Sequence, residues 1–257
     1  MSESLMKKIV YNNMPTYDSP EGYREYVAKS CEYSCVYCTL TESESSGATF
    51  NIDHFRPKKL FPKLYSDCSN LRYACPRCNS YKRARWIAQE YGCIRDCENC
   101  NNKACKNKIP RFIDGLEEDP EDFLIMNSDN IIVPKNNSKA GKYTIDSLRL
   151  NRAQLVKIRK LRAFIKEWED EIDGMLHVID EKQRALDDKK KHIDQIKRTV
   201  NASGREGYLL NIIVLNLESF ADELGLERER IAREKSKINY IQTNLCGSDT
   251  SYKAYDP

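Results

Sequence analysis

A chain of 257 residues with 40% hydrophobic content can bury a core in one large domain or two small ones, and 32% charged content predicts much solvated helix. A net charge of +3 excludes a general polyanion binder, so nucleic-acid contact must come from local clustering. Met1 to Val10 carries two lysines with no apolar stretch after them, and no run of eighteen apolar residues exists, so a cytoplasmic protein without membrane contact is expected, its eleven cysteines holding metal rather than disulfides.

Residues 1–30 form a polar, aromatic N-terminal segment in which Glu21 to Lys29 reads as a short helix. Cys31-x3-Cys35-x2-Cys38 follows, and its spacing admits two chemistries. Three thiolates at this spacing match the cluster motif of radical S-adenosylmethionine enzymes, but those need a large α/β barrel, and the chain after residue 145 reads as helical. The other reading pairs Cys35 and Cys38 with Cys75 and Cys78, two Cys-x-x-Cys knuckles sharing one structural Zn2+ and leaving Cys31 spare. Between the knuckles, Thr49 to Asp53 suits a strand, Pro57 and Pro62 interrupt a loop, and Asn79 to Glu90 reads as a helix. Nine basic residues against one acid between His54 and Arg85 (Arg56, Lys58, Lys59, Lys63, Arg72, Arg77, Lys82, Arg83 and Arg85) predict a local basic face.

Asp53-His54, Asn70-Leu71 and Cys78-Asn79 with Lys82, in that order with both knuckles, resemble the ββα-metal fold of HNH endonucleases. The resemblance places the three signature letters on His54, Asn70 and Asn79. A neutral imidazole suits proton abstraction from water, so His54 is the expected general base. A divalent Mg2+ or Mn2+ would be held by Asp53 and Asn79, and Asn70 would brace the loop that positions His54. Arg56, Lys58, Lys82 and Arg83 are expected to touch DNA phosphates.

Cys93, Cys97, Cys100 and Cys105 lie within thirteen residues and suggest a second Zn2+ site pinning an insertion, while the first three also repeat the iron–sulfur spacing. Asp114 to Asp122 holds six acids and reads as a solvated connection, and Ile125 to Val133 as a small hairpin turning at Asn127 to Asn130. Asn151 reads as the N-cap of a long helix. Ile158, Ile165, Ile172, Ile179, Leu186, Ile193 and Val200 recur every seven residues, with Leu161, Trp168, Met175 and Ile196 in companion positions, and interruptions at Lys182 and Lys189 favour a helix packed partly on its own chain over a long dimeric coiled coil. Gly204 and Gly207 break this stripe, Tyr208 to Leu217 reads as a buried helix returning along it, and a last helix covers Arg228 to Leu245.

The expected fold class is α+β: a zinc-stapled ββα-metal unit followed by a mainly helical C-terminal domain with a heptad-bearing long helix. The expected division is 1–30 N-terminal segment, 31–115 nuclease domain, 116–147 connection, 148–245 helical assembly domain and 246–257 tail. Together with Tyr143 to Arg152, the motifs are similar to the nuclease subunit of Septu-type bacterial anti-phage systems, which implies an ATPase partner docked on the helical domain. The alternative is a non-catalytic zinc-ribbon DNA-binding or scaffold protein in which the HNH residues are vestigial.

Overall fold

Main-chain bonds from the N-terminal segment tie distant stretches together. In the computed structural model, which describes residues 5–45, 47–86, 110–200 and 204–244, Lys7 N–H donates to Val36 O at 2.9 Å and Ile9 N–H to Gly115 O at 2.8 Å. Helix α1 spans Arg24–Ser30 after a 3-10 turn that starts at Pro20, whose fixed φ suits a first helical position. Strands β1 (Asn51–His54) and β2 (Leu71–Ala74) pair antiparallel, with Asn51 opposite Ala74 and Asp53 opposite Arg72. Helix α2 then runs Pro76–Lys82, starting and ending earlier than Asn79 to Glu90. The cause is local: the Cys75 sulfur caps the Cys78 N–H, Pro76 takes the first turn, and Arg83 at φ 50 ends the helix.

Strands β3 (Leu124–Met126) and β4 (Ile132–Pro134) form a second antiparallel hairpin. Its turn is held by Asn127 Oδ1, which accepts from Asp129 N–H at 3.1 Å and Ile131 N–H at 2.9 Å. Helix α3 (Lys139–Leu148) is capped by Ser138 and closed by Arg149 in the left-handed region. Asn151 does not serve as a helix cap. Its amide accepts from Ile132 N–H at 2.9 Å and donates to Ile132 O at 2.7 Å, so it replaces a missing strand neighbour of β4. The acidic segment is not simply solvated either, since Asp114 is buried against Arg72 and Glu118 pairs with Arg111 at 2.6 Å. Leu71, Ile113, Leu124, Ile132, Leu148 and Leu155 belong to one core that gathers strands, hairpin and helices up to Leu161. A small α+β unit carrying four clustered cysteines thus precedes a mainly helical region.

That region, Arg162–Thr243, forms a second compact unit from most of helix α4 (Ala153–Val200) and helix α5 (Gly204–Asn244). Ile165, Ile172 and Ile179 of α4 bury against Ile231 and Ile238 of α5. Polar contacts link Lys197 to Asn211 at 2.7 Å, Asp180 to Arg228 at 3.0 Å and Asp173 to Lys235 at 2.5 Å, an antiparallel pairing at one constant offset. The helix expected from Arg228 is the second half of α5, not a separate element. Tyr208 to Leu217 does not form the expected buried face, with Tyr208, Leu209, Ile213 and Leu215 all exposed. On α4, Leu161, Trp168 and Met175 are exposed as well, whereas Ile165, Ile172, Ile179 and Leu186 are buried.

Two glycines give opposite expectations. A Cβ at Gly141 in α3 would stand 2.4 Å from Phe123 O, a backbone atom that cannot swing away, whereas Gly174 in α4 has nothing within 4 Å. Gly141→Ala is expected to lower stability by about 1–3 kcal/mol through overpacking, and Gly174→Ala to raise it by roughly 0.5–1 kcal/mol, as read by urea denaturation followed by circular dichroism.

Candidate metal centre

The first knuckle is a tight turn in which Cys35 N–H donates to Leu40 O at 2.7 Å and Thr39 N–H to Cys35 O at 2.8 Å. Val36 N–H donates to Tyr73 O at 2.9 Å and so fixes this turn to β2. The second knuckle follows directly from the end of β2, with Cys75 as the cap and Cys78 in the first turn of α2. The ligating atoms of Cys35, Cys38, Cys75 and Cys78 lie within 4.8 Å of one another, all buried, and the Cys38 and Cys75 sulfurs are 3.8 Å apart. A tetrahedron with Zn–S bonds of about 2.3 Å requires sulfur separations of about 3.8 Å, so the four residues fit a closed structural Zn2+ site. Hydrogen bonds from the thiols of Cys35, Cys38 and Cys78 hold the Cys75 thiol far below its usual range. Cys31 stands outside this group, so the Cys31, Cys35, Cys38 trio of an iron–sulfur motif does not assemble.

Asp53 lies in a different environment. Tyr37 donates its hydroxyl to Asp53 Oδ2 at 2.5 Å, and Lys82 Nζ sits 3.2 Å from Oδ1 and 3.1 Å from Oδ2 while also donating to His54 O at 2.7 Å. Lys82 is 0% exposed. Burial pulls its ammonium pKa down and the Asp53 charge opposes that, while burial and the same carboxylate push the Tyr37 phenol up. The neighbouring Arg72 is 1% exposed, donates to Asp114 Oδ1 at 2.5 Å and to Ser69 O and Leu71 O at 2.7 Å, and stacks 5.1 Å over Phe55. Two buried cations and two carboxylates therefore compensate one another beneath β1 and β2.

The remaining site residues lie along the β1–β2 loop and α2. His54 places Nε2 2.9 Å from Tyr65 O and stacks on the Tyr65 ring at 5.3 Å. Asn70 accepts from Arg56 N–H at 2.8 Å and donates to Arg56 O at 3.1 Å and Leu64 O at 3.2 Å, bridging the loop. Asn79 is half-buried on α2. Arg56 lies 5.6 Å from the Trp86 ring, 6.0 Å from the Phe61 ring and 4.0 Å from Glu117, while Lys58 reaches over Tyr65 and Arg83 is exposed. Lys82 is a core cation, not a phosphate contact. Cys93, Cys97, Cys100 and Cys105 lie outside the described residues.

An HNH endonuclease domain matches residues 35–85, a span that contains both knuckles, β1, β2 and α2. No curated protein and no solved structure matches the chain. The expected enzyme, with His54 as general base and Mg2+ or Mn2+ held by Asp53 and Asn79, is overturned. Among the described residues the one group of three or more ligating His, Cys, Asp or Glu side chains is the four-cysteine cluster, and the Asp53 carboxylate is committed to Lys82 and Tyr37.

Removing one member of a buried ion pair strands the other, so Lys82→Met is expected to cost about 3–5 kcal/mol in urea denaturation, against less than about 0.5 kcal/mol for Lys58→Met on the surface. Burial also pushes the Cys31 thiol from 9.0 up to about 11. Below pH 9.0 the thiol is protonated in both states; between 9.0 and about 11 the unfolded chain releases the proton first, so stability falls as pH rises through that window. The fall is expected to be shallower in Cys31→Ala, measured by denaturation midpoints across the range.

Proposed function

We propose that this protein is a non-catalytic, zinc-stapled DNA-binding scaffold. The observation that carries the reading is the closed, buried four-cysteine site beside an exposed basic rim, with the carboxylate that a nuclease would aim at a catalytic ion compensating a buried lysine instead. A closed tetrahedral thiolate site leaves no position for substrate or water and contributes folding energy instead. Lys58 in the β1–β2 loop, Arg77 in the first turn of α2, and Arg83 and Arg85 just past its end are exposed, where they supply phosphate affinity without reading bases. Thiolate ligands fit a reducing compartment, which supports a cytoplasmic location.

The helical unit is proposed as the assembly surface. The seven-residue spacing of the buried Ile165, Ile172, Ile179 and Leu186 supports a heptad reading of α4, and exposed Tyr208, Leu209, Ile213 and Leu215 on α5 support a protein partner. Under the resemblance to Septu-type anti-phage systems, that partner is an ATPase subunit.

Metal analysis of the purified chain and binding to a fluorescent DNA duplex across a salt series test the reading. Zinc is expected in the wild type and lost in Cys35→Ser with Cys75→Ser. Replacing Lys58 and Arg83 together by alanine is expected to weaken binding and to reduce the log–log salt slope by about 2. Absence of duplex binding at low salt, or plasmid nicking with magnesium that His54→Ala abolishes, would overturn it.

A further inference from the structure

One arginine far along the chain from the knuckles reaches their sulfurs. Arg152, between α3 and α4, places Nη2 3.7 Å from Cys38 Sγ, 3.8 Å from Cys78 Sγ and 4.0 Å from Cys75 Sγ, with Nη1 3.8 Å from Cys78 Sγ. Nη1 also donates to Leu148 O at 3.3 Å and Arg149 O at 3.4 Å, the carbonyls that finish α3, and the guanidinium lies 5.9 Å from the Tyr81 ring of α2. The Arg152 Nε is buried without a partner. The fork converges on three sulfurs although this leaves one of its donors unsatisfied, an arrangement that negative charge on the sulfurs would stabilise.

The same residue starts the long helix. Arg152 O accepts from Leu155 N–H at 3.0 Å and Val156 N–H at 3.2 Å, the first bonds of α4. Its backbone therefore opens the element while its side chain contacts the cysteine cluster. Four thiolates around one Zn2+ carry a net charge of about −2, and buried charge of that size needs a compensating cation.

We propose that Arg152 is the counter-ion of the metal centre, and that metal occupancy, acting through this side chain, sets whether the first turn of α4 stays docked on the cysteine unit. The inference rests on the structural-zinc reading. With zinc, the sulfurs form one negatively charged acceptor for the fork; without it, protonated thiols offer the guanidinium no counter-charge. Arg159 provides the contrast, since it braces the same junction through Asn130 O at 2.8 Å, Leu150 O at 3.1 Å and Asn151 Oδ1 at 3.1 Å.

The test uses the full-length zinc-loaded protein, with zinc affinity measured by competition against a chromophoric chelator and amide exchange measured with zinc and after its removal. Arg152→Gln is expected to weaken zinc 10- to 100-fold (about the range for residues that hold metal ligands), Arg152→Lys to fall between it and wild type because it keeps charge without the fork, and Arg159→Gln to stay within about threefold. In the wild type, zinc removal is expected to accelerate exchange at Leu155 and Val156 by at least about tenfold, ahead of the β3–β4 amides. Unchanged affinity in Arg152→Gln, protection at Leu155 and Val156 that ignores zinc, or a uniform rise across the unit would overturn the proposal. Should Arg152→Gln not fold, the wild-type exchange comparison decides alone. A wild type that binds no zinc overturns the metal reading and this inference together.

Discussion

The convergence of four buried sulfurs is the constraint on which the first unit depends. The knuckles bring residues separated by some forty positions to one point, and that point sits at the end of β2, where the strand stops and α2 begins. With those ends fixed, two four-residue strands set Asp53 opposite Arg72, and Tyr37 of the first knuckle reaches the Asp53 carboxylate. Such short strands would not hold a register alone, since an isolated two-stranded hairpin is marginal in water. A Zn2+ held by the four cysteines would cross-link the ends of both strands and the first knuckle, as a larger core otherwise would.

Within that frame, the pair formed by Asp53 and Lys82 shows how the same letters can serve a different purpose. An aspartate before a histidine, with a lysine on the following helix, has the composition of a phosphodiester site. Here the lysine has no access to solvent and its ammonium spans the carboxylate and the His54 carbonyl. Releasing the carboxylate to a hard cation would leave that ammonium buried without its counter-charge, at a cost of several kcal/mol. The stability of the domain and a free Asp53 are thus in direct competition.

How much of this was legible in the sequence follows from which signals are local. Cys-x-x-Cys spacing, the β-branched stretch near Ile52 and the asparagine turn at Asn127 all act within a few residues, and the chain order alone exposes them. Lys82 was not legible as a core cation, because its partner is 29 residues away and a basic neighbourhood argues for the surface. Asn151 beside a helix start has the chemistry of a cap, and only the hairpin edge at Ile132 reveals its other use. The apolar run from Tyr208 failed for a related reason: composition announces a hydrophobic face but not what faces it. Arg152 could have been suspected from its place just before a long helix, yet no spacing rule links it to cysteines 74 to 114 residues earlier.

The constant offset between α4 and α5 has a mechanical meaning. Lys197 with Asn211, Asp180 with Arg228 and Asp173 with Lys235 are spread along the hairpin, yet all belong to one alignment of the two helices. Isoleucine rows spaced by seven would accept a slip of one repeat, about 10 Å along the axis, with little change in apolar packing. The polar pairs would not, because such a slip separates all three at once. The apolar rows thus set the spacing of the alignments open to the hairpin, and the polar pairs mark the one that it adopts.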